Sequence, residues 1–177
     1  MQERRIITAT PRLELVEIAP CDEGIYVEVY QDPLMMTHLG GPLSTELAKE
    51  RFQNWLRIAA NSKFGPCIVR YRGGTEVIAG VGVFPSEIEG ESVFEIGWWV
   101  LTAHQQKGIA FEAAQALDNY SSTHLGPHVL TAFPNESNDA SNRICEKLGM
   151  RRMKSVTYPY GSSMLKMVYW RRDGTTS

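Results

Sequence analysis

The stretch Gln105-Gln106-Lys107-Gly108-Ile109-Ala110 stands between a strand-like run, Phe94 to Val100, and a helix-like run that begins near Ile109. A glycine-bearing turn here opens directly onto a helix N-terminus. The first N–H groups of a helix have no intrahelical acceptor, and the macrodipole adds about half a positive charge at that end. Such a junction can therefore hold a phosphate largely by main chain. Gly108 matters most, because it has no Cβ to obstruct an approaching anion. Just beyond it, Ala110, Ala113, Ala114 and Leu117 fall at i, i+3, i+4 and i+7, the spacing of an amphipathic helix whose small residues suit close packing on a sheet.

Upstream of the turn, Cys67 to Tyr71, Val77 to Phe84 and Val93 to Leu101 read as strands. Arg72-Gly73-Gly74 and the acidic turn region Pro85 to Glu91 separate them, and links this short imply an antiparallel meander. Nearer the N-terminus, Leu13 to Ile18 alternates as a half-buried strand does, and Asp22 can cap a short helix ending near Asp32-Pro33. Gly40-Gly41-Pro42 breaks the chain. Ser44 then begins a longer helix carrying Ala48, Phe52, Trp55, Leu56 and Ala59 at helical spacing, ended by Gly65-Pro66.

Toward the C-terminus, His128 to Phe133 reads as a strand and Asn138 to Leu148 as a helix stopped by Gly149. Two strands follow, near Met150 to Tyr158 and Met164 to Trp170, joined through Tyr160-Gly161-Ser162-Ser163. The order β-α-α-β-β-β-α-β-α-β-β describes an α+β fold: a mixed sheet of about seven strands flanked by about four helices. It is not a doubly wound parallel sheet. With no repeat, low-complexity segment or linker, residues 1–177 are expected to form a single domain.

Composition excludes several classes. Lys and Arg number 18 against 20 Asp and Glu, so no basic field recruits nucleic acid. Cys21, Cys67 and Cys145 are an odd set without CxxC spacing, which argues against a disulfide framework and a thiolate zinc site and fits a reducing cytoplasm. No apolar run approaches the roughly 18 residues of a membrane span, and Met1-Gln2-Glu3-Arg4-Arg5 lacks a signal peptide's apolar stretch. A cytoplasmic location without membrane partners is expected. His124 and His128 are four apart, but Gly126-Pro127 lies between them and prevents a shared helix face, so no metal site is expected there. No Walker A loop occurs.

Four stretches together resemble the GNAT superfamily of acetyl-CoA-dependent N-acetyltransferases, and within it the RimJ/RimL-like branch. They are Thr10-Pro11-Arg12-Leu13, Glu95-Ile96-Gly97-Trp98-Trp99-Val100, the turn Gln105 to Ala110 followed by Glu112-Ala113, and Asn138-Asp139-Ala140-Ser141-Asn142 leading to Glu146-Lys147-Leu148-Gly149-Met150. Each is short and degenerate alone; their order between the right elements is what makes them specific. The resemblance implies a splayed strand pair forming an acetyl-CoA cleft. It also implies that Gln106, Lys107, Gly108, Ile109 and Ala110 present backbone amides to the CoA pyrophosphate, with Gln105 at the family's leading Gln or Arg position. Pantetheine would lie along the exposed strand backbone at Val100, and Asn138 would be both helix cap and CoA-side asparagine. No metal is implied.

Direct acetyl transfer needs a neutral amine, a polarised thioester carbonyl and a proton for the departing thiolate. Glu95, on the strand leading to the turn, is the candidate base; the alternative is a carboxylate that binds the substrate cation or belongs to a polar network. Many family members carry a tyrosine where this chain has Cys145, so the usual acid is missing. RimL-like members place a serine where Ser141 stands, which makes Ser141 the candidate acid or thiolate-stabilising group, or else a hydroxyl that only bonds backbone. Cys145 falls on the apolar stripe of its helix with Ala140 and Leu148 and reads as a small buried hydrophobe.

Trp55, Trp98, Trp99, Tyr158 and Tyr160 are aromatics that frame the acceptor site or else pack in the core. Trp55 and the loop at His38 enter the acceptor side by analogy with the family's variable first helices, His38 reading otherwise as loop surface. The function implied is transfer of an acetyl group from acetyl-CoA to a primary amine in a ternary complex, the amine being a protein or peptide N-terminus. A small-molecule amine such as a polyamine or antibiotic, and a non-catalytic CoA-binding role, stay open as alternatives. So does the oligomeric state, a homodimer included.

Overall fold

In the computed structural model, which describes residues 4–62, 64–160 and 163–174, the strands are β1 (Ile6–Ala9), β2 (Leu13–Glu17), β3 (Cys67–Tyr71), β4 (Ala79–Ile88), β5 (Glu91–Val100), β6 (Leu130–Ala132), β7 (Arg151–Tyr160) and β8 (Ser163–Arg172). The helices are α1 (Glu23–Gln31), α2 (Thr45–Asn61), α3 (Ile109–Leu125) and α4 (Asp139–Lys147). The strands form one eight-stranded sheet in the order β1-β2-β3-β4-β5-β6-β8-β7. Every neighbouring pair is antiparallel except β5 with β6.

The sheet has one strand more than the sequence reading expects. The additional strand, β1, is a four-residue edge in which Ile7 is buried and Ile6 is 47% exposed, too short to display alternation. The acidic segment expected as a turn region continues the β4–β5 hairpin instead. Pairing runs on to Ile88↔Glu91, and the link tightens to Glu89-Gly90, both at positive φ (53° and 83°), as a two-residue type I′ turn requires. Gly161 and Ser162 of the expected β7–β8 connection lie outside the described residues, as does the side chain of Tyr160.

Helix starts follow their caps in two cases and depart in a third. The Ser44 hydroxyl accepts from Leu47 N–H at the head of α2, and Asn138 Oδ1 accepts from Ser141 N–H at the head of α4. Asp22 precedes α1 but makes no side-chain cap, because its carboxylate is taken by Arg4 and by the Ala19 N–H.

Two apolar layers sandwich the sheet. One packs α3 and α4 through Ile109, Ala113, Ala114, Leu117, Cys145 and Leu148 against Leu13, Leu15, Val81, Val83, Ile96, Leu130 and Val168. The other packs α1 and α2 through Tyr26 and Phe52 against Val16, Ile18 and Ile68. Burying a side chain such as the wholly enclosed Phe52 stabilises the fold by about 2 to 3 kcal/mol. No helix among the described residues is long and apolar enough to cross a membrane.

Candidate functional site

β5 divides its side chains between the two layers. Phe94, Ile96, Trp98 and Val100 belong to the core under α3, while Trp99 joins the layer under α1 and α2. By the two-residue period of a strand, Glu95 and Gly97 face the same side as Trp99. The strand's main chain alternates as well: Phe94 N–H donates to Val129 O at 2.9 Å, whereas Leu101 N–H donates to Ile78 O at 3.0 Å. Even-numbered residues of β5 thus turn their polar groups toward β6 and odd-numbered ones toward β4.

β5 and β6 stay paired only at Phe94↔Leu130 and Glu95↔Thr131. Beyond that point β6 ends at Ala132, and Pro134 takes the chain to β8 by accepting from Val168 N–H at 2.8 Å. The N–H and C=O groups of Trp98 and Val100 consequently open into a gap between parting strands. An extended ligand arm can pair with such an edge as a surrogate strand. Of these groups, Val100 O accepts from the Gln105 side-chain amide at 3.1 Å.

At the end of this edge the chain makes one turn of 3-10 helix, Thr102–His104, and enters the turn before α3. Gln106 and Gly108 both sit in the left-handed region, at φ 59° and 76°. Left-handed residues alternating with an ordinary one curl successive N–H groups to one side, the arrangement called a nest. Among the described residues, the N–H groups of Gln106, Lys107, Gly108, Ile109 and Ala110 find no acceptor, whereas Gln105 N–H donates to Thr102 O and Glu112 N–H to Gly108 O. A Cβ at Gly108 would stand clear of all protein atoms but one, Arg12 Nη2 at 3.9 Å, so the concavity opens to solvent. Five free donors at a helix start suit an anion of the size of a pyrophosphate. The Lys107 ammonium bends back onto Ala103 O at 2.9 Å and leaves that anion site to the main chain.

Glu95 is half-buried at the point where the strands part. Burial raises its carboxyl above the usual range, and no hydrogen bond among the described residues offsets this. Across the β4–β5 ladder Glu95 stands opposite Phe84, whose ring meets that of Trp55 on α2 at 4.9 Å. Trp55 is fixed in turn by donating Nε1–H to the Tyr30 hydroxyl at 2.6 Å. Glycines make this aromatic layer possible: a Cβ at Gly80 would strike the Trp99 indole, and one at Gly82 would strike the Phe84 ring. Trp98 stands apart from this group. Three positions from Glu95 on a strand, it necessarily points to the opposite face and packs against the α3 core.

α4 is capped by Asn138, and Ser141 is half-buried in its first turn. Asn142 locks this corner: its amide donates to Asn135 O at 3.0 Å and Asn138 O at 2.9 Å, while its Oδ1 accepts from Trp170 Nε1–H at 2.8 Å. The loop between α1 and α2 touches both the segment before α4 and the turn before α3. His38 Nδ1 lies 3.1 Å from Ser137 Oγ, and Gln105 Nε2 lies 3.6 Å from Met35 Sδ. Cys145 is wholly buried and burial pushes its thiol up to about 12, so it is a packing residue. The structure therefore puts Glu95 and Val100 on one strand with Gln105 to Ala110 after it, ties the His38 loop to Ser137 just before Asn138 and Ser141 and, through Met35, to Gln105, and sets Trp55 behind Phe84.

Sequence reasoning missed Phe84 and Asn142. The spacing Gly80-x-Gly82-x-Phe84 could have revealed the first, since two glycines on one strand face mark a place where rings lie close to the backbone. Asn142 belongs to the stretch that carries the family resemblance, but its bonding role is recognised only in three dimensions, through Asn135 and Trp170.

Residues 12–151 match the model of the acetyltransferase (GNAT) domain family. The chain is 32% identical over 143 residues to the uncharacterized N-acetyltransferase YnaD of Bacillus subtilis strain 168, covering 81% of each chain. In structure it is similar to an acetyltransferase of Agrobacterium tumefaciens strain C58, with a TM-score of 0.78, 23% identity and 97% of both chains covered. It is also similar to RimL, the ribosomal L7/L12 alpha-N-protein acetyltransferase, in complex with coenzyme A, with a TM-score of 0.76, 15% identity and 96% and 98% of the two chains covered. The cleft between parting strands, the nest before α3 and the family match over most of the sequence agree, and the chain belongs to the GNAT family of N-acetyltransferases.

Proposed function

We propose that this single domain of 1–177 transfers the acetyl group of acetyl-CoA to the α-amino group of a protein or peptide in a ternary complex, within the cytoplasm and in the manner of the RimJ/RimL-like branch. One observation carries the reading. A single strand, β5, holds the burial-raised Glu95 carboxyl and, about 17 Å further along, delivers a free main-chain edge into the anion nest. A pantetheine arm laid on that edge would bring its sulfur end toward Glu95 while its phosphates rest at Gly108.

In this reading the N–H groups of Gln106 to Ala110 hold the pyrophosphate, Val100 and Trp98 offer main-chain partners to the pantetheine amides, and Asn138 borders the arm from α4. Bound acetyl-CoA supplies the activated thioester. Glu95 takes a proton from the acceptor ammonium, directly or through a water, so that a neutral amine is presented. A carboxylate raised by burial is a better base than an exposed one. As the amine forms its bond to the thioester carbon and the C–S bond breaks, the remaining proton lost by the nitrogen passes through the Ser141 hydroxyl to the departing sulfur, and the serine ends protonated as it began. Phe84 and Trp55 limit water around Glu95, and the His38 loop closes the acceptor side.

The preference for an α-amine rests on two supports. The likeness to RimL, itself named an alpha-N-protein acetyltransferase, is one. The other is chemical: an α-amine with a pKa near 8 is substantially neutral at cytoplasmic pH, whereas a lysine near 10.4 is neutral at about one part in a thousand and demands a stronger base. The test is incubation with acetyl-CoA and short peptides with free or blocked N-termini, beside polyamines and aminoglycosides, followed by thioester cleavage. Acetylation confined to free N-termini is expected. Turnover only on blocked peptides or only on the small amines would overturn the assignment.

A further inference from the structure

Thr10-Pro11-Arg12-Leu13 and Glu112 lie outside the cleft, yet they form a connected polar cluster with the nest. Thr10 Oγ1 accepts from Arg12 N–H at 3.2 Å and Leu13 N–H at 2.9 Å, and donates to Glu112 in the first turn of α3. The Arg12 guanidinium donates through Nε to Glu112 Oε2 at 2.8 Å, and its Nη2 also reaches that carboxylate. The same Nη2 donates to the carbonyl of Lys107 at 3.2 Å.

The backbone of Arg12 is itself anchored. Its carbonyl accepts from Arg72 N–H at 2.8 Å, and the next residue is in register with Tyr71 on β3. A rigid sheet end therefore grips one peptide group of the phosphate turn. That peptide is the one preceding Gly108. In a planar trans peptide the C=O and the N–H point in opposite directions, so holding the Lys107 carbonyl toward Arg12 holds the Gly108 N–H away from it, into the nest. Gly108 tolerates either orientation of this plane because it has no Cβ, and the turn alone does not prevent a flip. A flipped plane would aim a carbonyl oxygen at the incoming anion.

We infer that Arg12, held by Glu112 and Thr10, is a positioning residue for the acyl donor: it fixes the Lys107–Gly108 peptide so that the nest is preformed for the phosphates of CoA. This rests on the reading of the turn as the CoA pyrophosphate site. Burial would raise the Glu112 carboxyl, but its bonds to Arg12 and Thr10 prevail and hold it below the usual range, so the anchor is ionised throughout the working pH range. Half of the Arg12 side chain is exposed, and ion pairs so exposed contribute little to global stability. Cofactor affinity, more than melting temperature, is where the cluster acts.

Calorimetric titration of CoA into the wild type, Arg12→Lys and Arg12→Ala tests this. A lysine keeps a cation beside Glu112 but lacks the planar fork that reaches carboxylate and carbonyl together. Both variants should bind CoA about 5- to 10-fold more weakly, the equivalent of one phosphate hydrogen bond. The KM for acetyl-CoA should rise by the same factor, with kcat, the acceptor KM and Tm unchanged. Dephospho-CoA should be weakened equally, since Arg12 acts through the peptide and touches no phosphate. Unchanged CoA affinity in the folded variants, or a loss seen with CoA and absent with dephospho-CoA, would overturn the inference. If the wild type itself fails to bind CoA, the reading of the turn falls first and the role of Arg12 with it.

Discussion

The two ends of the cleft are built from different materials. At the α3 end the groups proposed to face the ligand are backbone N–H donors set by two left-handed residues, Gln106 and Gly108, and the Lys107 side chain turns elsewhere, onto Ala103 O. The residues proposed to face the acceptor, Glu95, Phe84, Trp55, Ser141 and His38, come from five different segments, and the contacts among them are tertiary: Phe84 lies opposite Glu95 and against Trp55, and His38 lies against Ser137 ahead of α4. A main-chain site recognises what every donor of one class shares, a pyrophosphate. A side-chain site can change its acceptor with each substitution. The first should resist truncation of side chains and fail on a change of backbone, and the second should behave in the opposite way.

The strongest break of that contrast is Gly108→Val. The protein offers a new side chain open space, so the damage is to the φ of 76° and to the anion's approach. A β-branched residue held there costs about 1 to 3 kcal/mol and places a methyl where the phosphates would rest. CoA binding should disappear while the fold persists; undiminished affinity in a folded variant would dissolve the assignment of the nest.

Next in size is Glu95→Gln, expected to lower kcat by about 10²-fold or more with CoA affinity nearly unchanged. Stability should move the other way. Because burial raises this carboxyl, the folded protein keeps its proton to higher pH than the unfolded chain does. The stability this provides is full at low pH and is lost as pH rises through the raised value. The glutamine variant should therefore melt above the wild type at pH 8 and level with it at pH 4. Activity of the wild type should climb as pH rises through the same ionisation, a limb the variant lacks. A variant with wild-type kcat at every pH would make Glu95 a structural residue.

Ser141→Ala should act more weakly, lowering kcat by about 10-fold or less, because a CoA thiolate is a tolerable leaving group and water can replace a hydroxyl in a half-open cleft. The helix should be unaffected, since the cap runs from Asn138 Oδ1 to the Ser141 backbone N–H and does not involve the hydroxyl. Pre-steady-state measurement separates the readings: slowing confined to product release would remove Ser141 from the chemical step.

The same contrast explains what could be read from residues alone. Gly108, the helical spacing of Ala110 to Leu117 and the Ser44 and Asn138 caps are local signals, and each reappears in the structure at its place. What stayed hidden depends on distant partners. Asp22 looks like a cap until Arg4 takes its carboxylate across 18 positions, and β1 exists because β2 is there to pair with it. Trp98 and Trp99 are adjacent and must face opposite ways. Nothing in the sequence says that Trp99 lies over Gly80 on the Glu95 face while Trp98 packs under α3. Side-chain sites are collected by tertiary contacts, so their members cannot be counted before the fold is known.

The smallest expected effect is also the sharpest probe of the contrast. Gln106 is a non-glycine residue at φ 59°, a conformation that costs about 1 kcal/mol for an L side chain, and its side chain is exposed. Gln106→Gly removes that cost but adds about 0.5 to 1 kcal/mol of unfolded-chain freedom, so the two nearly cancel and Tm should shift by only a degree or two. The backbone N–H survives, and CoA affinity should stay within about twofold of the wild type, less than the cost of one lost hydrogen bond. Gln106→Val retains the N–H but opposes the left-handed φ, and it should weaken CoA binding even though neither residue lends a side chain to the phosphates. If instead the glycine variant loses affinity and the valine variant keeps it, the glutamine side chain is a ligand and the turn is not the main-chain site described here.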